Sequence, residues 1–218
     1  MRVLLLGTVM ACTPPTSSVG GQVPPEVLGE GFMDTADSDA VRGEVTTLRR
    51  EERYLLRGRT ATDLVADLEQ RRPRDERFTG WTRWKMKWRF EPSLSGGSCA
   101  VSAVDVDLEL TTVLPAWEPP VDADPALVAA WDAYLRALEA HETVHGDLAR
   151  AAADRVHQAL AALPSQEDCG RMRDLVNLTG QSEVQRLRLE NSAFDTHTEH
   201  GASQGAIFPG PDRLAGMP

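Results

Sequence analysis

Two histidines stand one helical turn apart in the stretch HETVH, His141 to His145, inside a segment whose pattern otherwise predicts an ordinary amphipathic helix. Residues four apart share one face of a helix, so both imidazoles can bind one metal ion. Glu142 is rotated by about 100° from His141 around the helix axis. It can therefore take a proton from a water on that ion without being a ligand itself. This spacing is typical of zinc-dependent peptidases and predicts a Zn²⁺ cofactor.

The alternative interpretation is that His141 and His145 are core histidines bonded to their neighbours. Both fall on the apolar stripe of the helix, where an unpaired imidazole is costly, so a metal site is favoured. The continuation of the motif has Leu148 and Ala151 where metzincins carry Gly and His, which excludes that class. His157 is twelve residues past His145, about 18 Å along a helix, and cannot share the ion.

The third ligand must therefore come from farther along the chain. The polar stretch ENSAFDTHTEHGASQGA supplies three main candidates, Glu190, Asp195 and His200. Glu190 on the next helix would be a gluzincin-like ligand, and Asp195 an aspzincin-like ligand. His200 precedes Gly201, which predicts a loop where the backbone can approach closely. The competing interpretation is a capped helix end followed by a tail.

The elements that must position these residues predict an α+β fold, with a small antiparallel sheet followed by helices. RYLLRG is a short strand candidate, and TATDLVADLEQR a short helix opened by Thr60. The stretches FTGWTRWKMKWRFEP and SCAVSAVDVDLELTTVLPAW alternate apolar and charged residues, which predicts two strands joined at SGG. The basic outer face of one strand should lie beside the acidic outer face of the other. Helical periodicity then predicts the long HExxH helix from Asp124-Pro125 to about Leu163, and a second helix from Cys169 to Asn191 with a weak point at Gly180.

Composition limits the partners. The net charge of −10 disfavours general nucleic-acid binding, which depends on neutralising phosphates. No apolar stretch is long enough to span a bilayer. The start MRVLLLGTVMAC resembles a bacterial lipoprotein signal with Cys12 as the lipid site, so we expect export to the periplasm or the cell envelope, with the membrane reached only through a lipid anchor. The alternative interpretations are a clipped ordinary secretory signal and a mis-assigned start codon. In that setting the remaining two cysteines, Cys99 and Cys169, are expected to pair.

The predicted organisation is a signal peptide over 1–12, a flexible acidic tether rich in Pro, Gly and Ser over 13–45, one folded domain over 46–209 and a disordered tail over 210–218. We find no internal repeat.

Four separated blocks, in order, resemble the DUF922 family of predicted secreted zinc-dependent proteases of bacteria: FTGWTRWKMKWRF, CAVSAVDVDLELTTVLPAW, HETVHGDLA and ENSAFDTHTEHGASQGAIFP. The resemblance covers about residues 50–209 and implies a zincin-like metallopeptidase domain, and the cysteine pair also fits the family. The family's aromatic-Asp, Thr and His-Gly fall on Phe194-Asp195, Thr198 and His200-Gly201. The usual tyrosine is Phe194 here.

With this resemblance, His200 ranks first as third ligand, Asp195 second, as ligand or as a partner orienting a histidine, and Glu190 third. Thr198 and Gln204 are predicted to contact the oxyanion or the substrate backbone. The expected function is a zinc metallopeptidase acting on peptides or proteins of the cell envelope, with Glu142 as its base. The alternatives are an inactive zinc-stabilised binding or assembly lipoprotein and a hydrolase of peptidoglycan crosslinks.

Overall fold

The computed structural model describes residues 41–71 and 78–210. The predicted signal peptide with Cys12, the tether up to residue 40 and residues 211–218 of the predicted tail lie outside the described residues. The elements follow the order β1 (Val45–Leu56), α1 (Ala61–Arg71), β2 (Trp81–Ser95), β3 (Ser98–Trp117), α2 (Pro125–Ala161) and α3 (Cys169–Thr198), and a short 3-10 turn at Ala202–Gln204 ends the series. A small sheet followed by helices confirms the predicted α+β class.

The three strands form one sheet in the order β1-β3-β2. β2 and β3 pair antiparallel as predicted, and Gly96 and Gly97 turn the chain between them with φ of 58° and 83°, values that favour glycine. β1 pairs parallel to β3, so the sheet is mixed and not purely antiparallel as the sequence predicts. Parallel pairing needs a long crossover, and the connection from β1 to β3 supplies one because it contains α1 and β2.

β1 begins at Val45, well before the predicted strand around Tyr54. Its middle is the charged run RREER, residues 49–53, which hides any alternation of apolar and polar residues. Most of its side chains are exposed because β1 is an edge strand. The strand is therefore defined by the pairing of β1 with β3 along one edge, and not by an apolar pattern in its own sequence.

One face of the sheet packs against α2 and α3, and the core lies between them. Val104, Val106 and Leu108 of β3 are fully buried against Ala152 and Val156 of α2. The opposite face carries the predicted ladder of charges across β2 and β3, with the residue pairs Lys85–Glu109, Lys87–Asp107 and Arg89–Asp105 in register. The guanidinium of Arg89 also lies 2.8 Å from the carboxylate of Asp107.

Both long helices begin at an aspartate that caps exposed backbone amides. The Asp124 side chain accepts from the amide of Ala126, with Pro125 in the first turn of α2. The Asp168 side chain accepts from the amides of Gly170 and Arg171 at the start of α3. α3 continues to Thr198 and not only to Asn191 as predicted, which brings most of the polar stretch onto a helix.

A disulfide joins Cys99 at the start of β3 to Cys169 at the start of α3 and confirms the predicted pair. Because the two cysteines are 70 residues apart, the bond closes a loop that contains α2. It therefore fixes α3 to the sheet at the end of α3 that is remote from Asp195.

Among the described residues, no helix is both long and apolar enough to cross a membrane.

Candidate metal centre

His141 and His145 of α2 face Asp195 of α3 across the contact between the two helices. The Nε2 atoms of the two histidines are 3.2 Å apart, and Oδ1 of Asp195 lies 3.0 Å from Nε2 of His145 and 3.4 Å from Nε2 of His141. Both histidines are buried. The longer α3 produces this geometry, since Asp195 is a helical residue that packs on the HETVH turn.

Asn191 determines which nitrogen of His145 carries the proton. Its amide nitrogen donates to the carbonyl of Leu187 at 2.8 Å, so its oxygen must face Nδ1 of His145, 2.5 Å away. Since that oxygen can only accept, Nδ1 of His145 donates. In the neutral ring, Nε2 then presents a lone pair toward Asp195.

Gln204 contacts His141 at the equivalent ring nitrogen. Its side-chain oxygen lies 2.9 Å from Nδ1 of His141. Burial lowers the pKa of His141 below its ordinary value and thereby favours the neutral ring. Gly201 lies against the same imidazole: a Cβ there would be 3.2 Å from Cγ of His141 and 2.8 Å from Cβ of Ala206. The turn after α3 thus both orients and covers His141.

When both imidazoles are neutral and carry their proton on Nδ1, three electron-pair donors converge with no proton between them, an arrangement that a cation at its centre would stabilise. A tetrahedral zinc with bonds of about 2.0–2.1 Å separates its ligand atoms by about 3.3 Å. The observed separations of 3.0–3.4 Å match that value. His141, His145 and Asp195 form a group that could hold a metal ion, with three protein ligands as in catalytic zinc sites.

Glu142 is buried beside this group. Among the described residues, its Oε2 atom has no hydrogen-bond partner. Burial raises the pKa of Glu142 to about 6, while the nearby His145 and a hydrogen bond from Thr82 oppose the shift. The Thr82 hydroxyl also donates to the main-chain oxygen of Glu142 at 3.1 Å. The geometry thus keeps a carboxyl group with a pKa near neutrality next to the three convergent donors.

The other predicted site residues take different places. His200, the first-ranked ligand, lies at the edge of the group: its Nδ1 is 3.7 Å from Oδ1 of Asp195, and its ring stacks on Phe78 at 4.3 Å. Glu190 pairs with Arg155 at 2.8 Å and Arg186 at 2.9 Å, away from the histidines. The structure thus brings Asp195, and neither of the other candidates, into the three-donor group.

Thr198 and Gln204 both form hydrogen bonds to other residues of the chain. The Thr198 hydroxyl donates to the carbonyl of Phe194 at 2.9 Å and accepts from the amide of Gly201 at 3.3 Å. It thereby fixes the turn that brings Gln204 to His141. Neither residue is among the described residues that line the cavity next to the donors, where the sequence predicted a substrate contact.

Phe194, at the position where a tyrosine was expected, packs on both imidazoles. Its ring is stacked on His141 at 4.9 Å and edge-on to His145 at 5.1 Å.

Two residues at the site, Asn191 and Thr82, were not identified from the sequence. The signal for Asn191 was its position one turn before Asp195, which matters only once α3 is known to continue through both residues.

A cavity of about 540 Å³ opens next to the donors. Glu142, His141, His145 and Asp195 line one part of it, together with Asn191 and His200. The start of β2, α1 and the chain around Phe208 line the rest. A small molecule or a peptide segment can therefore reach the three donors and Glu142 together.

A comparison of the chain with known protein families agrees with the resemblance carried by the four motif blocks. Residues 51–201 match the family described as "Bacterial protein of unknown function (DUF922)". The match spans more than half of the chain, and the chain belongs to this family, which confirms the predicted membership. The description assigns no metal and no activity. No curated protein and no solved structure matches the chain.

Proposed function

We propose that this protein is a zinc-dependent metallopeptidase that hydrolyses peptide bonds. The observation that carries the proposal is the buried carboxyl group of Glu142, whose Oε2 atom has no hydrogen-bond partner among the described residues, next to three convergent donors in one open cavity. A site that only stabilises the fold has four protein ligands and no use for such a group. The three-donor set also fits zinc in its mixture of imidazole and carboxylate ligands and in its spacing.

His141, His145 and Asp195 would hold the ion. When bound, zinc supplies Lewis acidity, which polarises the peptide carbonyl and lowers the pKa of a water toward about 7. Glu142 takes the proton from the attacking water and passes it to the leaving amine. Asn191 and Gln204 each place a side-chain amide oxygen at an Nδ1 atom, so that Nε2 of both imidazoles would be available to hold the ion.

Two observations support a location outside the cytoplasm. A disulfide such as Cys99–Cys169 persists in oxidising compartments, and the N-terminal sequence up to Cys12 resembles a lipoprotein signal. We propose that a lipid on Cys12 anchors the peptidase in the cell envelope. Incorporation of labelled fatty acid into the wild-type chain, and its loss in Cys12→Ser, tests this part alone.

The activity is tested by measuring zinc content and cleavage of a mixed peptide library by the full chain. Glu142→Gln should keep zinc and lose about 100-fold or more in turnover, since general acid–base catalysis contributes about 10²–10⁴-fold. Glu139→Gln, one turn earlier and partly exposed, is the matched control and should retain activity. A wild-type chain that holds zinc but cleaves nothing would instead favour the inactive binding-module alternative. Equal activity in Glu142→Gln would exclude the proposed role of Glu142.

A further inference from the structure

The cavity that opens next to the donors has an apolar wall. It is built from three places in the chain: α1 contributes Leu68, α2 contributes Leu138, and the segment after the 3-10 turn contributes Ala206 and Phe208. All four side chains are buried, between 3% and 8% exposed. Val65 of α1 also lines the cavity and is partly exposed. The wall is therefore preformed and water-repelling.

The mouth of the same cavity exposes two large apolar side chains. Phe78 is 40% exposed and Ile207 is 58% exposed, and both line the cavity. Exposed apolar side chains scattered singly need no explanation, but two that line a cavity beside its apolar wall indicate a ligand that covers them. Burying each would favour binding, because it removes apolar surface from water.

The apolar wall adjoins the metal group directly. Leu138 precedes His141 by one helical turn on the same face of α2, and both line the cavity. Ala206 packs on Gly201, which itself contacts His141. A peptide whose carbonyl reaches the donors therefore has a neighbouring side chain at this wall.

We infer that this wall is the specificity subsite of the proposed peptidase and takes a bulky apolar side chain, of the size of Leu or Phe, next to the scissile bond. The inference rests on the proposed function and names its substrate class. A side chain as small as Ala leaves the wall unfilled. A Glu side chain brings a charge against apolar groups that give it no partner.

The test uses hydroxamates, which bind zinc without being cleaved, on the zinc-loaded full chain. The probes are acetohydroxamate and four amino-acid hydroxamates that carry Leu, Phe, Ala or Glu side chains, with Kd measured by calorimetry. The Leu and Phe probes should bind about ten-fold or more tighter than the Ala probe, and the Glu probe should bind more weakly than the Ala probe. This ratio of Kd values is independent of any cleavage.

Substitutions of residues that line the cavity test whether the preference for a bulky apolar side chain arises at this wall. Val65→Glu should bring the Leu-to-Ala ratio of Kd values toward one, and Ile207→Glu, whose exposed position cannot disturb the core, should do the same. Thr62→Glu, exposed on the same helix as Val65, is the matched control and should leave the ratio unchanged. Equal Kd values for all side chains, with acetohydroxamate still bound, would overturn the subsite alone. A chain that retains no zinc after loading would overturn the metal site and the subsite together, and a chain that retains zinc but binds no acetohydroxamate would overturn the open metal site that the subsite requires.

Discussion

The side-chain oxygen of Asn191 lies 2.5 Å from Nδ1 of His145, and the amide nitrogen of the same side chain donates to the carbonyl of Leu187. This relationship fixes the orientation of the amide and, through it, the proton on His145. α3 therefore does more than supply Asp195 to the group. It also places an acceptor at Nδ1 of His145, so in the neutral ring the lone pair of Nε2 points at Asp195.

Asn191→Ala should weaken zinc binding by about 10- to 100-fold, because partners of this kind keep a ligating histidine in the right tautomer and orientation. The measurement is zinc affinity by competition with a chromogenic chelator. Asn177→Ala, an exposed asparagine on the same helix, should leave the affinity unchanged. Unchanged affinity in Asn191→Ala would show that the hydrogen bond to His145 has no part in metal binding.

Replacement of the three ligand candidates separates them. Asp195→Ala should reduce bound zinc to near zero after dialysis, since it removes one of three convergent donors. His200→Ala should keep its zinc, because His200 lies outside the group, and Glu190→Gln should also keep it, because Glu190 is committed to Arg155 and Arg186. The measurement is the zinc content per chain of each of the three variants. Loss of zinc in His200→Ala, with zinc retained in Asp195→Ala, would restore the ranking expected from the sequence.

Thr82 is expected to position Glu142 rather than to contact the ion. Its hydroxyl lies 3.1 Å from the main-chain oxygen of Glu142 and 3.3 Å from the hydroxyl of Thr112. Thr82→Val should lower kcat roughly ten- to hundred-fold with KM and zinc content nearly unchanged, because small displacements of a catalytic group are costly. Thr82→Ser should recover most of the activity. Equal kcat in the Val and Ser variants would contradict this role.

Gly180 lies on α3 where the Trp88 ring packs, and a Cβ there would be 2.6 Å from Cε2 of that ring. Alanine is favoured over glycine in a helix by about 1 kcal/mol, but overpacking a rigid ring costs about 1–3 kcal/mol. Gly180→Ala should therefore lower the free energy of unfolding by about 1 kcal/mol. Urea denaturation of Gly180→Ala in the wild-type and Trp88→Leu backgrounds tests the cause. In the Trp88→Leu background the substitution should become stabilising, and a loss in both backgrounds would contradict the contact with Trp88.

The order and type of the main elements could be predicted because alternation and helical periodicity are strong in β2, β3 and α2. The charged run in β1 carries no such pattern, and its parallel pairing depends on β3, far away in the chain. The same limit applies to the end of α3. Asn191, Ser192, Asp195 and Thr196 are weak helix formers, so the sequence indicates an end near Asn191. Contacts with His141 and His145 instead continue the helix to Thr198.

For the site, HETVH predicts a pair of histidines and a neighbouring glutamate, and the structure brings those three side chains to one cavity. The third donor was among the candidates but could not be chosen, because the choice depends on the register of α3 against α2. That register is set by contacts between distant residues, such as Arg155 with Glu183 and Glu190, which no local pattern reveals.

The most direct test of the central claim is diffraction from zinc-soaked crystals of the full chain, with data collected on both sides of the zinc absorption edge. The account predicts one anomalous peak bonded to Nε2 of His141, Nε2 of His145 and a carboxylate oxygen of Asp195, with Glu142 beside the open position. A peak at any other donor set, or no peak at HETVH while the chain remains folded, would contradict it.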